Sequence, residues 1–378
     1  MQAETILQGR ILTPSGWVRG RLRAGALIHA IEEDGNAPDN RLILPGFIDL
    51  HVHGAGGVDI MEGGDAATRV ARLHARHGTT TLLGTTMTAP PQAIEHALRG
   101  LAGAMATQAP DAAHIAGVHL EGPFLNLKRL GAQPPLVSTA SMEQVSAWHA
   151  IAPIRVLTLA PEIPGHMELI APLTALGIRV QAGHSAGSYE DGARAIEQGL
   201  AGFTHLFNGM SGLNQYTPGI LAAAMAHGEY AEIIPDLQHV HPGALRAAMR
   251  AIPRLYAVTD ATPATGMPDG EYMLGSQRVM KCAGCVRLIE GDSLAGSALT
   301  MDQALRNLVQ LGLPLADASA RVSRFPAEYL GLQDRGALAV GRRADVVVLD
   351  PALQIRAVLL AGRALSSEQG VQDAAIFA

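Results

Sequence analysis

The segment "FIDLHVHGAGG", residues 47–57, indicates the fold most directly. An apolar run comes first, then two histidines, His51 and His53, and then a group of glycines. Residues two positions apart in a β-strand point to the same face, so both imidazoles would stand side by side where the strand meets a loop. This arrangement suits a metal site, because histidine is the commonest metal ligand. One buried and one exposed histidine is the alternative reading.

Seven further apolar runs of strand length follow this segment, and helical patterns such as "DAATRVARLHARHG" lie between them. Alternation of strands and helices indicates a parallel sheet, and eight strands favour a closed (β/α)8 TIM barrel over an open doubly wound sheet. The predicted strands are 46–54, 79–85, 115–122, 154–162, 178–185, 202–208, 231–239 and 255–261.

The two ends of the chain have a different pattern, made of short strands and turns. Neither end has enough apolar surface to fold alone. We therefore expect the ends to meet in one small β-sandwich domain, residues 1–45 plus 337–378, with the barrel in residues 46–336.

Composition limits the function classes. The chain has 378 residues, 28 basic and 34 acidic, for a net charge of −6. No basic block occurs, which argues against nucleic acid as a partner, and no signal peptide or transmembrane segment is expected. The only cysteines, Cys282 and Cys285, lack the second pair that a zinc ribbon needs. Two structural thiols are favoured over a redox pair, and a reducing cytoplasm fits best.

Side chains of the types that bind metals lie at the same end of the predicted strands. In a TIM barrel this carboxyl-terminal rim is where active sites form. A nucleotide site is disfavoured, because no G-x-G-x-x-G follows the first strand and no P-loop motif occurs. The strand-end residues are His51, His53, Glu121, His184, His205, His239 and Asp260.

Several longer motifs carry a resemblance to a known family. "LPGFIDLHVHG", "HLEGPFLN", "AGHSA", "THLFNGM", "VTDATPATG" and "SLAGSALTMDQALRNLV" occur in this order across nearly the whole chain. The chain resembles the amidohydrolase superfamily and, within it, the N-acetylglucosamine-6-phosphate deacetylases. The resemblance implies a metal-bearing barrel, a small β-sandwich from both chain ends, and a homodimer. It also implies hydrolysis of N-acetyl-D-glucosamine 6-phosphate to D-glucosamine 6-phosphate and acetate.

The resemblance also implies a metal site. Glu121, His184 and His205 match the principal ligands, while His51 and His53 match a pair that lets some members hold a second metal. Other members lack this pair and work with one ion, so one or two ions remain open. Histidine and carboxylate ligands suit zinc, and iron, cobalt or manganese can use the same set.

Further positions match catalytic and substrate-binding residues. Asp260 matches the catalytic acid/base, and His239 matches the histidine that polarises the substrate carbonyl. The matched substrate-binding positions are Asn208, Gly209, Ala132, Gln133, Tyr216 and Leu294.

Three places depart from the family pattern. Gln133 replaces a substrate-contacting histidine, "DLQHV" replaces "DGxHv", and Tyr216 falls where the partner subunit's phosphate-binding arginine is expected. Either Lys128 and Arg129 or His241 supplies the missing charge, or the substrate is another N-acetyl sugar, unphosphorylated or of the galactosamine type. An N-acyl amino acid or cyclic amide is a further alternative. A non-enzyme scaffold is disfavoured, because none of the matched ligands is lost.

Overall fold

A computed structural model of the protein describes residues 4–291 and 293–365. In chain order the strands are β1 (Thr5–Thr13), β2 (Gly16–Ala24), β3 (Ile28–Glu33), β4 (Leu42–Pro45), β5 (Phe47–Val52), β6 (Gly54–Ala55), β7 (Val58–Asp59), β8 (Thr79–Thr85), β9 (His114–Glu121), β10 (Ile154–Leu159), β11 (Arg179–Ala182), β12 (Gly202–Phe203), β13 (Tyr230–Ile233), β14 (Arg254–Ala257), β15 (Gly270–Leu274), β16 (Gln277–Cys282), β17 (Cys285–Leu288), β18 (Val346–Leu349), β19 (Ile355–Leu360) and β20 (Arg363–Ala364).

The helices alternate with the middle strands. They are α1 (Ala66–Arg76), α2 (Pro91–Thr107), α3 (Met142–Ile151), α4 (Ile170–Ala175), α5 (Tyr189–Glu197), α6 (Ile220–His227), α7 (Pro242–Ala251), α8 (Met301–Gln310), α9 (Leu315–Ser319) and α10 (Phe325–Leu330). Short 3₁₀ turns occur at Ile60–Glu62, Leu127–Arg129 and Met167–Leu169, and a π-helical segment occurs at Ala320–Arg324. Within the described ranges, no helix is long and apolar enough to cross a membrane.

Eight of the strands form a closed parallel barrel. Strands β5, β8, β9, β10, β11 and β12 pair side by side in this order, and β13 pairs with β14. The Leu206 N–H donates to the Glu232 carbonyl (2.9 Å), which joins β12 to β13, and the Asp260 N–H donates to the His51 carbonyl (3.0 Å), which joins β14 to β5. The predicted (β/α)8 barrel is therefore confirmed.

Burial explains why these segments form these elements. Strand β8 is buried along its whole length, as expected for a parallel strand covered on both faces. Helix α1 buries Ala67, Val70, Ala71 and His74, whose spacing of three and four residues places them on one face. Helix α1 thus covers the barrel with one largely apolar face.

A seven-stranded sheet combines strands from both chain ends, in the order β20-β19-β18-β4-β1-β2-β3 among the described residues. The Ile28 N–H at the β3 edge donates to the Arg342 carbonyl (2.8 Å), just before β18, so the sheet curls over its own core. That core includes Ile11, Leu22 and Val348. We propose residues 4–45 and 337–365 as the small domain and 46–336 as the barrel. Residues 1–3 and 366–378 of the expected domain lie outside the described residues.

A three-stranded antiparallel sheet, β15 to β17, follows the eighth barrel strand, and the sequence pattern did not predict it. Leu274, Val279 and Val286 on its inner side pack in one cluster with Met87, near the end of β8. The sheet therefore covers part of the barrel rim. Cys282 and Cys285 face each other at its tip as free thiols.

Candidate active site

The predicted site residues gather at the carboxyl ends of the barrel strands. His184, His205 and Asp260 follow β11, β12 and β14, and their φ angles are 47°, 29° and 50°. Positive φ is uncommon for residues other than glycine and occurs at functional sites when the surrounding structure enforces it. Here it turns the chain sharply after short strands and brings the three side chains together.

A first group of ligand atoms is formed by Glu121, His184 and His205. Glu121 Oε1 lies 3.1 Å from His184 Nε2 and 3.0 Å from His205 Nε2, and the two Nε2 atoms are 3.0 Å apart. His184 Nδ1 donates to the Arg129 carbonyl (2.7 Å), so Nε2 of the neutral ring carries a lone pair. The group thus directs lone pairs at one point.

A second group is formed by His51, His53 and Asp260. The two Nε2 atoms are 3.1 Å apart, and Asp260 Oδ1 lies 3.5 Å from His51 Nε2 and 3.3 Å from His53 Nε2. Glu121 Oε2 lies 3.2 Å from His53 Nε2, so the two oxygens of Glu121 serve different groups. His51 Nδ1 is 2.9 Å from Glu232 Oε2, which fixes the ring with Nε2 toward the site.

Both groups fit a divalent cation. An ion about 2.0–2.1 Å from tetrahedral nitrogen and oxygen ligands has ligand atoms roughly 3.3 Å apart. The distances within the two groups are 3.0–3.5 Å. Converging lone pairs repel each other unless a cation lies between them, and both groups can hold one at the same time because Glu121 offers one oxygen to each.

The charges of the site keep both carboxylates ionised. Burial alone would raise the pKa of Glu121, but the charge of His51 lowers it well below its usual value. Burial likewise opposes the charged form of Asp260, and the charge of His51 together with a hydrogen bond to His53 lowers its pKa. Asp260 can therefore accept a proton at neutral pH.

The pKa of His53 shifts in the opposite direction, upward. Burial disfavours its charged form, but hydrogen bonds to Asp260 and Glu121 outweigh this and raise its pKa to about 9. A metal ion must displace a proton from such a ring, as metal-binding histidines are neutral.

His239 is oriented by Asp236. Its Nδ1 lies 2.6 Å from Asp236 Oδ2, while Asp236 Oδ1 accepts from the His239 N–H (2.9 Å). Because Nδ1 carries the proton that it donates to Asp236, Nε2 has a proton to donate only when the ring is the imidazolium. Burial lowers the pKa of His239, but the hydrogen bond and charge of Asp236 raise it overall. The pair thus supports a cationic donor beside the cavity.

A cavity of about 140 Å³ connects these groups. This is below the roughly 300–1,000 Å³ of typical small-molecule pockets, so it encloses only one end of a sugar-sized ligand. The predicted residues that line it are His53, Glu121, Ala132, Gln133, His184, His205, Asn208, Gly209, His239, Asp260 and Leu294. His51 lies behind His53 and is fully buried.

Two predicted substrate-binding residues, Tyr216 and Gln133, have surroundings that differ from the prediction. Tyr216 is 85% exposed on the loop before α6 and does not line the cavity of this single chain. The Gln133 Nε2 donates to Glu121 Oε2 (2.7 Å), and Gln133 Oε1 accepts from the Thr88 N–H (2.7 Å). Gln133 therefore holds the carboxylate that the two ligand groups share.

Sequence reasoning missed three acidic residues that support the site: Asp49, Glu232 and Asp236. Asp49 accepts from the Thr259 hydroxyl (2.6 Å), and burial raises its pKa to about 7. Asp49 and Glu232 each stand within an apolar strand, in "FIDLH" and "AEIIPD", and an acid in a buried strand was the available signal. Asp236 is the first residue of "DLQHV", and its place three residues before His239 in that motif was the available signal.

Comparison with known proteins places this geometry in a family. A model of the amidohydrolase family matches residues 42–374. This chain belongs to the amidohydrolase family. Its relatives include the N-acetylgalactosamine-6-phosphate deacetylase of Escherichia coli O157:H7, 37% identical over 94% of this chain and 98% of the relative. The N-acetylglucosamine-6-phosphate deacetylase of Lysinibacillus sphaericus is 36% identical over 89% of this chain and 88% of the relative.

Solved structures agree with this assignment. A mutant N-acetyl-D-glucosamine-6-phosphate deacetylase from Mycobacterium smegmatis, in complex with N-acetyl-D-glucosamine 6-phosphate, has a TM-score of 0.89 and 33% identity, covering 96% of this chain and 99% of that one. The Pasteurella multocida deacetylase has a TM-score of 0.90 and 27% identity, with coverage of 96% and 99%. The resemblance to the deacetylases is confirmed.

Proposed function

We propose that this amidohydrolase removes the acetyl group from an N-acetylamino sugar 6-phosphate, with N-acetyl-D-glucosamine 6-phosphate as the first candidate. The products are D-glucosamine 6-phosphate and acetate. The observation that carries the proposal is the small cavity in which Asp260, His239 and two ligand groups joined by Glu121 face one another. The deacetylase relatives support the substrate class.

Two divalent ions per chain fit this proposal: Glu121, His184 and His205 would hold one, and His51, His53 and Asp260 the other, with Glu121 Oε2 beside His53. Zinc matches the nitrogen and oxygen donors best, since it favours this mixture in a tetrahedral arrangement. When bound, such an ion lowers the pKa of water to about 7 and polarises a carbonyl oxygen.

Asp260 moves the proton in this mechanism. Its carboxylate takes a proton from the attacking water as the water oxygen bonds to the acyl carbon. Asp260 then gives this proton to the amide nitrogen as the C–N bond breaks, so that the sugar leaves as the amine. Its lowered pKa supplies the ionised form that the first step needs. Acid–base catalysis of this kind contributes about 10²–10⁴-fold.

His239 binds the carbonyl oxygen. Its imidazolium Nε2–H donates to this oxygen as negative charge develops, while Asp236 holds Nδ1 in place. One well-placed donor of this kind is worth about 3–4 kcal/mol. Asn208 and Gly209 line the same cavity and would contact the sugar in this proposal. A Cβ at Gly209 would lie 2.9 Å from His184 Nδ1, so the backbone at position 209 can lie this close to the His184 ring only as glycine.

The phosphate lies outside the enclosed part of the cavity in this proposal. Lys128 and Arg129 are exposed on the turn at Leu127–Arg129. The Arg129 carbonyl of this turn accepts a hydrogen bond from His184 Nδ1, and it would lie 3.3 Å from a Cβ at Gly209. They therefore stand at the rim and can supply positive charge. His241 is the alternative, although its side chain already accepts from the Gly243 N–H (3.1 Å).

N-acetyl-D-galactosamine 6-phosphate is the second candidate substrate, favoured by the relative with that activity. The test is kcat/KM for both sugar phosphates and for free N-acetylglucosamine, with an N-acetyl amino acid as control. We expect both phosphates to exceed the free sugar. Losing one charged hydrogen bond is worth about 1.5–3 kcal/mol, or roughly 10–150-fold, so R129A should reduce the preference for phosphate by this factor. Equal values for phosphorylated and free sugar would contradict the proposal.

The remaining partners are part of the proposal. A homodimer would cover Leu213 and Tyr216, which are 66% and 85% exposed on the loop before α6. Sedimentation analysis of the wild type tests this, and a monomer at all concentrations would contradict it. The cytoplasmic location stays a prediction from cysteine usage.

A further inference from the structure

A second and larger cavity adjoins the catalytic one. It has a volume of about 500 Å³, against about 140 Å³ for the catalytic cavity. It lies between the start of α2, the 3₁₀ turn at Ile60–Glu62 and the sheet β15–β17, and most of its lining is apolar. The proposed deacetylation, as described so far, makes no use of it.

Met87 separates the two cavities. It is the residue that lines both of them among the described residues, and it is 2% exposed. Its N–H donates to Met61 Sδ (3.3 Å) on the side of the second cavity. A Cβ at Gly275 would lie 3.7 Å from Met87 Cβ, so the turn after β15 closes on this residue. One unbranched side chain thus forms the partition.

The partition coincides with the apolar wall of the catalytic cavity. Apart from glycines, the apolar lining consists of Met87, Ala132, Leu274 and Leu294, and the other lining residues are polar. In the proposed substrate the acyl methyl is the apolar group next to the reacting carbon. With the carbonyl oxygen bound by His239 and the sugar by Asn208, the apolar wall is the part of the lining whose chemistry suits this methyl.

We propose that Met87 limits the substrate to short N-acyl groups, and that the second cavity is a latent binding site for the chain of a longer N-acyl group. The inference rests on the proposed deacetylase function. The chemistry is unchanged: water cleaves the C–N bond, and the fatty acid anion replaces acetate as the product. Shortening the side chain at position 87 joins the two cavities, whereas leucine, of nearly the same volume, keeps the partition.

The experiment measures kcat/KM for N-acetyl-, N-propionyl- and N-butyryl-glucosamine 6-phosphate. In the wild type we expect a fall of about 10- to 200-fold from acetyl to propionyl, the range that one misfitting methylene produces in a closed pocket, and a further fall to butyryl, which adds a second methylene. In M87A the butyryl-to-acetyl ratio should rise at least about tenfold, and in M87L it should stay at the wild-type value.

Two results would overturn the inference. One is a wild type that hydrolyses the butyryl and acetyl substrates equally well, because Met87 would then limit nothing. The other is a folded M87A with an unchanged ratio. If thermal unfolding shows that M87A does not fold, M87V replaces it. A wild type inactive on N-acetylglucosamine 6-phosphate contradicts the proposed function instead, and the acyl series is then measured on the N-acetyl substrate that the wild type accepts.

Discussion

The two groups of candidate metal ligands share Glu121 but are built differently. In the first, His184 and His205 follow short strands in left-handed backbone, and the His184 ring is held by a main-chain carbonyl. In the second, His51 lies within a strand and is held by the carboxylate of Glu232, which is fully buried. A carboxylate behind a histidine raises its basicity as a ligand more than a neutral carbonyl does.

The groups also differ in what else their members do. The first consists of residues that only hold an ion in the proposed mechanism. The second includes Asp260, which is also the proposed proton carrier. Because Glu121, His184 and His205 match the principal ligands of the related deacetylases, we infer that the first group is the tighter site despite the more basic His51, and that the second couples ion binding to proton transfer. The following substitutions separate these roles, beginning with the residue that both groups share.

Substitution E121A should have the largest effect, because it removes an oxygen from both groups. We expect loss of both bound metal and measurable activity, checked by elemental analysis of the purified protein and by acetate release. E232A is the matched control, since it removes a buried carboxylate that holds His51 but leaves both oxygens of Glu121. If E121A retained full metal content, Glu121 would not be a ligand.

Substitution D260N should keep the fold and the ion of the first group but lower kcat by about 10²–10⁴-fold, because it removes the proton carrier. Steady-state kinetics and elemental analysis on the same sample check both parts. An effect below about tenfold falls short of the range for acid–base catalysis and would assign this role to another residue.

Substitution D236N should act through His239 and depend on pH. Asp236 raises the pKa of His239, so the active imidazolium persists below this raised pKa and is lost as the pH rises through it. Without Asp236 the pKa falls, and the alkaline fall of kcat/KM should move to lower pH, with about a tenfold loss at neutral pH growing as the pH increases. A uniform loss with an unshifted pH profile would contradict this role.

Substitution H51N should have the smallest effect. It removes one ligand of the second group, while Glu121, His184 and His205 remain. We expect one ion to be lost and activity to fall by less than about tenfold, against a much larger loss for H184N. If H51N lost more bound metal than H184N, the second group would be the tighter site.

Much of this arrangement follows from the sequence, for physical reasons. The barrel was predictable because eight apolar runs alternate with amphipathic helices, and the polar residues lay at their carboxyl ends. The roles of Asp49 and Glu232 were not, because a carboxylate inside an apolar strand acquires its role only from partners distant in the chain, Thr259 and His51.

Other features depend on contacts that one stretch of sequence does not contain. Gln133 could be read only as a substituted substrate contact until its bonds to Glu121 and Thr88 were seen. The partition at Met87 depends on the sheet β15–β17, which packs on it from almost two hundred residues away. Tyr216 is exposed and does not line its own chain's cavity, so its role depends on what covers it.

The central claim is that Glu121 joins two ion sites that together support deacetylation. The most direct test is a titration of metal-stripped wild type with Zn²⁺, following acetate release from N-acetyl-D-glucosamine 6-phosphate. The account predicts no activity before metal is added and a rise that ends at two equivalents per chain. Full activity in the metal-free protein, or a plateau at one equivalent with no further binding, would contradict it.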